Sequence, residues 1–124
     1  IILLRLADIL LLKAEALVEL NRPKEALMIV NDIRNRAGLS GLSLSLSVAE
    51  ARLAVENERQ LELLFEGQRW WDLIRNERME EVMKTAHDKN GNLRFSEIPA
   101  WRAKLPIPQA QIDINERLTQ NIGY

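Results

Sequence analysis

The sequence has 124 residues, enough for one domain, and 17 Lys and Arg against 18 Asp and Glu leave a net charge of −1. Without a basic surplus, nucleic acid is not an expected partner. With no cysteine and one histidine, disulfides, thiol nucleophiles and multi-histidine metal sites are excluded, and no cofactor or metal is expected.

The chain opens in mid-pattern at Ile1-Ile2-Leu3-Leu4-Arg5, with no Met, which suggests a piece of a longer protein. Residues 3–20 read as a helix, because Leu3, Leu6, Ala7, Leu10, Ala14, Leu17 and Val18 recur at spacings of three and four. Asn21-Arg22-Pro23 stops it, and Pro23 suits the first position of a second helix running to about Ala37. Ala26, Leu27, Val30, Ile33 and Ala37 form its apolar stripe, and Gly38 is the expected C-terminal cap. So short a loop predicts an antiparallel hairpin. Residues 40–47 alternate Ser and Leu, which could form a short strand, but an extended surface connection is the favoured reading. Ser47 and Glu50 then match a capping box. A third helix is expected to run to Phe65 or Gly67. Another covers residues 69–75 and breaks at Asn76, and a short one covers 77–87. Asp88-Lys89-Asn90-Gly91-Asn92 is a turn. Pro99, Pro106 and Pro108 forbid a long helix beyond it, leaving an irregular tail with one helical turn at 109–112. A tail of this length needs other structure to lie on.

The densest chemistry lies between Asn57 and Arg75. Glu58, Glu62 and Glu66 are four apart and share a helix face, so they repel unless cations intervene. If the helix continues, Glu66, Arg69, Asp72 and Arg75 form a ladder of alternating charge. A catalytic carboxylate set is disfavoured, because carboxylates one turn apart point alike and do not flank a bond. A metal site is disfavoured, because such sites recruit Glu-x-x-His and His87 is remote. The remaining reading is a structural ion-pair network, partly buried because apolar residues are interleaved with it.

The other candidates are weaker. Placing Gly91 at position six of a calcium loop puts Asp88 and Asn90 at three and five and Glu97 at twelve, but position one becomes Ala86, which cannot ligate. Trp101, among prolines, could stack on a sugar ring; the competing reading is that it pins the tail. Trp70 and Trp71 read as core, and His87 as a surface or helix-end residue. No Gly-rich phosphate loop or Ser/His/Asp triad is assignable. Small Ala14 and Ala26 make the hairpin similar to a tetratricopeptide (TPR) unit. One such unit cannot bury its faces alone, so the chain by itself is expected to be marginally stable.

Five blocks in order resemble the SusD/RagB family. Ala7-Asp8-Ile9-Leu10-Leu11-Leu12-Lys13-Ala14-Glu15-Ala16 is similar to its A-D-x-L-L-x-x-A-E-A helix, and Val30-Asn31-Asp32-Ile33-Arg34-Asn35-Arg36-Ala37-Gly38-Leu39 to its I-N-x-I-R-x-R-A-G-L segment. Glu58-Arg59, Glu62-Leu63 and Phe65-Glu66-Gly67-Gln68-Arg69-Trp70-Trp71-Asp72-Leu73 resemble its most specific signature. Pro106-Ile107-Pro108 and Gln120-Asn121-Ile122-Gly123-Tyr124 resemble its closing motifs. Leu6 stands where the family usually has Tyr, Glu77 near a usual Gly, and Glu116 and Ile122 in place of prolines.

The resemblance implies an all-α C-terminal portion of a longer protein. Residues 1–38 would form the TPR-like hairpin, 47–87 the signature helices, and 88–124 an irregular tail packed on them. It implies a non-catalytic, surface-exposed outer-membrane lipoprotein that binds glycans or oligosaccharides and passes them to a SusC-like TonB-dependent transporter. The membrane anchor would be an N-terminal lipid outside this chain. Glu58, Arg59, Glu62, Glu66, Arg69 and Asp72 would be structural signature residues, with no catalytic residue. The carbohydrate contacts are unassigned, with Trp101 a weak candidate. The alternatives are a TPR-like protein–protein interaction module without glycan binding, and a carboxylate enzyme.

Overall fold

The computed structural model describes residues 4–95 and 98–124. Among these are six α-helices, one short 3-10 turn and no strand, so the all-α class holds. The chain divides into two compact units, Ile1–Arg69 and Trp70–Tyr124.

The first unit contains α1 (Leu6–Glu19), α2 (Pro23–Arg36) and α3 (Val48–Glu62). The expected start at Leu3 lies outside the described residues. Leu11, Ala14 and Val18 of α1 meet Ala26, Leu27 and Val30 of α2, and Ala51 and Val55 of α3 close the core. Ala14, Ala26 and Ala51 are fully buried, and their small side chains let three helix backbones approach. The α1–α2 turn is closed by Arg22 N–H donating to Leu17 O at 2.8 Å and Asn21 N–H to Val18 O at 2.9 Å. Asn21 takes the left-handed backbone conformation that this cap needs and Asn tolerates. Gly38 caps α2 in the same way, with a φ of 75°.

The Ser/Leu segment is an extended connection with no strand. Leu42 and Leu46 turn onto the core. Asn31 holds the segment from both sides: its Nδ2 donates to Leu42 O at 2.9 Å, and its Oδ1 accepts from Leu42 N–H at 2.6 Å. At the start of α3 the Ser47–Glu50 capping box is complete.

Three boundaries differ from expectation. The third helix stops at Glu62, short of Phe65 and Gly67. Phe65 and Gly67 both have positive φ, which a continuing right-handed helix forbids. The helix expected over 77–87 is only α5 (Met79–Lys84), because Glu77 takes a φ of 56° and closes the end of α4 (Arg69–Arg75). There Arg78 N–H donates to Leu73 O at 2.9 Å and Glu77 N–H to Ile74 O at 3.1 Å. A side chain in this left-handed conformation costs on the order of 1–2 kcal/mol. The expected single turn at 109–112 extends as α6 (Gln109–Ile114). A 3-10 turn over Ala100–Ala103 was not expected.

In the second unit, buried Leu73, Met79 and Ile98 gather Trp70, Ile74, Val82, Met83, Phe95 and Ala103. The tail therefore packs on α4 and α5 through Phe95, Ile98 and Ala103. Trp71 does not join this core: it is 56% exposed, because Trp70 and Trp71 sit 100° apart on the helix and only Trp70 faces inward. Exposed His87 pairs with Leu93 through an isolated β-bridge. Between them Asp88 Oδ1 accepts from the backbone N–H of Asn90 and Asn92 at 2.8 and 3.0 Å. The carboxylate that the calcium-loop reading would use is thus committed to its own turn, and Glu97 lies outside the described residues.

Candidate functional site

The signature residues are placed by the ends of the helices. Glu58 meets Arg34 of α2 at 3.0 Å. Glu62 accepts from Arg5 at 2.9 Å and from Arg36 at 2.6 Å. Glu66, in the turn after α3, takes the other face of Arg5 at 2.8 Å. Arg59 is 3% exposed and lies 2.9 Å from Asp8 of α1, while also donating to the Asp8 backbone carbonyl at 3.2 Å. Because α3 stops at Glu62, the continuous charge ladder does not form. Arg69 turns back to buried Glu56 at 2.9 Å instead of to Glu66, and Asp72 pairs with its local neighbour Arg75 at 2.7 Å.

Every carboxylate of the signature therefore holds a guanidinium. The pairs tie α1 to α3, α2 to α3, and α3 to the loop that follows. Asp8, Arg5, Arg34, Arg36 and Glu56 complete this network, and the reading of the sequence missed them. Their signal was present: Asp8, Arg34 and Arg36 lie inside the resemblance blocks, but only the fold brings those blocks together. Among the described residues no group of three or more His, Asp or Glu is arranged to hold a metal ion.

Glu62 shows the electrostatics. Its burial disfavours the charged form, but Arg36 and Arg5 outweigh that and hold its pKa below the ordinary value of 4.5. Glu19 is lowered in the same direction by Arg52. A depressed carboxyl pKa contributes stability that is present above the unfolded value and lost as pH falls through the folded value. Unfolding monitored by circular dichroism should accordingly show stability constant from pH 7 to about 5 and falling below about 4.5. Glu62→Gln should flatten that fall. A midpoint unchanged down to pH 3 would contradict the network's role.

Trp101 sits in the 3-10 turn of the second unit. Its ring meets Tyr124 edge-on, with centroids 4.9 Å apart, and the Arg102 guanidinium lies 5.3 Å from its centroid. Gly123 presses on the same indole: a Cβ there would stand 2.4 Å from it. Gly123 also has a φ of 97°, so the chain end needs glycine for two reasons. The closing motifs hold each other. Gln120 accepts from Ile107 N–H at 2.8 Å and donates to Ile107 O at 2.9 Å. Asn121 donates to Leu105 O at 2.6 Å, and Tyr124 O–H to Lys104 O at 3.1 Å. Beside Trp101 is a cleft of about 440 Å³ with Trp70, Phe95, Tyr124 and Arg102 in its walls. Among the described residues the buried Trp70 Nε1 has no acceptor. No helix among them is long and apolar enough to cross a membrane.

A hairpin of small-residue contacts, an arginine–carboxylate network between helices and a tail held by its closing motifs define a helical scaffold of recognisable type. The SusD family model matches residues 1–124, and the chain belongs to that family. It is 42% identical to SusD-like protein P38 of Formosa agariphila, covering 100% of this chain and 24% of that protein. It is 33% identical to SusD-like protein P25 of the same organism, covering 99% of this chain and 24% of the relative. The crystal structure of a SusD-like protein from Bacteroides fragilis superposes with a TM-score of 0.77 at 28% identity, over 98% of this chain and 25% of that one. The chain thus spans about a quarter of the length of the relatives it matches.

Proposed function

We propose that the protein containing this chain is a non-catalytic glycan-binding component of a Bacteroidetes outer-membrane nutrient-uptake system, working with a SusC-like TonB-dependent transporter. Membership of the SusD family carries this reading. The signature carboxylates support it from the chemistry: held by guanidinium groups, they stabilise helix packing and are poorly placed to act as an acid–base pair. The mechanism is capture and hand-over, with no bond broken. Residues 1–124 are its C-terminal portion, and they contribute scaffold and part of the surface facing the transporter. The whole protein is surface-exposed and anchored by an N-terminal lipid outside this chain.

One observation favours the second reading, a TPR-like protein-interaction module without glycan binding. Leu6 and Ile9 on α1, with Leu4 just before it, are exposed along one side of the hairpin. Fractionating the source cells and blotting with an antibody to residues 1–124 separates the two. A band several times the size of this chain, in the outer membrane, open to added protease and co-purifying with a β-barrel transporter, is the expected result. A small soluble band would move the interaction module to first place.

A further inference from the structure

We propose that the cleft of the second unit binds an anionic sugar residue within an oligosaccharide, with Arg102 reading the charge. This rests on the glycan-binding reading above and adds the ligand's chemical class and its contact residue. The cleft's volume of about 440 Å³ lies within the range of small-ligand sites and suits a short run of sugar rings. Trp70, Phe95, Trp101 and Tyr124 give it apolar aromatic walls, which match the C–H faces of pyranose rings. Among the described residues Arg102 is the only charged one in those walls.

Arg102 differs from the arginines of the network. Arg5, Arg34, Arg36, Arg59 and Arg69 are each neutralised by a carboxylate. Among the described residues no carboxylate is paired with Arg102, and its guanidinium lies 5.3 Å from the centroid of the Trp101 ring. That cation–π contact orients the guanidinium without satisfying its donors. A planar fork of free N–H groups beside an aromatic wall fits a two-oxygen anionic edge bidentately. Uronate and sulfate ester both present such an edge. The walls are also set before binding. Tyr124 is fixed by its ring contact with Trp101 and by its O–H bond to Lys104 O, and Gly123 closes one side of the indole. A preformed site loses less ordering entropy when it fills.

The test is titration calorimetry on the lipid-free full-length protein with three oligosaccharides of matched length: a galacturonan, a sulfated galactan and a neutral galactan. At least one anionic probe should bind about tenfold more tightly than the neutral one, and more weakly as salt is added. Arg102→Gln should remove about that tenfold advantage, Arg102→Lys should restore part of it, and neither should move the thermal midpoint. If Arg102→Gln leaves anionic affinity within about twofold, or the neutral probe binds equally well, the proposal fails while glycan binding stands. Silence with all three probes also overturns it, and a broad glycan screen then judges the parent reading by itself.

Discussion

Arg59→Ala should lower the unfolding free energy of this chain by about 3–5 kcal/mol. The guanidinium is buried between α1 and α3 and faces Asp8, which is itself nearly inaccessible. Removing it leaves the Asp8 carboxylate in a poorly solvated site without its cation, and strips a donor from the Asp8 backbone carbonyl. The cost of leaving an uncompensated charge outweighs what the pair contributes when intact, because both ions were desolvated to form it. The double variant Arg59→Met with Asp8→Leu should therefore recover most of the stability. Urea unfolding followed by far-ultraviolet circular dichroism reads both. A loss under about 1 kcal/mol for Arg59→Ala would mean that the pair is solvated, as surface pairs are.

Leu27→Ala should cost about 2–5 kcal/mol. Leu27 is fully buried in the core shared by α1, α2 and α3. Its truncation removes buried methyl groups, and neighbours such as fully buried Leu11 and Val30 have backbones fixed by the helices, so collapse into the gap is incomplete. Folded domains hold only about 5–15 kcal/mol in total, and a chain with one hairpin and two small cores belongs near the lower end. Leu27→Ala should then leave a partly unfolded population at 25 °C. The exposed Met28→Ala, one residue along, should change stability by less than about 0.5 kcal/mol, measured in the same way. Equal effects at the two positions would refute the placement of the core.

The contrast between the units shows which features were legible. The hairpin was, because the spacing of Ala7, Leu10, Ala14, Leu17 and Val18 and of Leu27, Val30 and Ile33 follows helical geometry, and Pro23 and Gly38 mark its ends through backbone sterics alone. The Ser47–Glu50 cap was legible for the same reason: its two hydrogen bonds span three residues. Phe65 was not. It is 97% exposed and has a positive φ, although its composition reads as buried helix. Nothing local distinguishes an aromatic that ends a helix from one that continues it. Trp71 likewise needed the direction of the core, which neighbouring residues do not supply.

The charged signature divides along the same line. Like charges at helical spacing repel, so Glu58, Glu62 and Glu66 need cations whatever packs beside them, and the motif blocks led to the family. Which cations answer them depends on how the helices pack. Arg5, Arg34 and Arg36 come from before α1 and from α2, and Arg69 returns to Glu56 once the chain reverses after α3. At the other end, Gln120 and Tyr124 are visible in sequence only as parts of a closing motif, and packing makes them the clasp on Ile107 and Lys104. Periodicity and capping are short-range and written along the chain. Ion pairing and closure are long-range, and their partners are chosen when the elements pack.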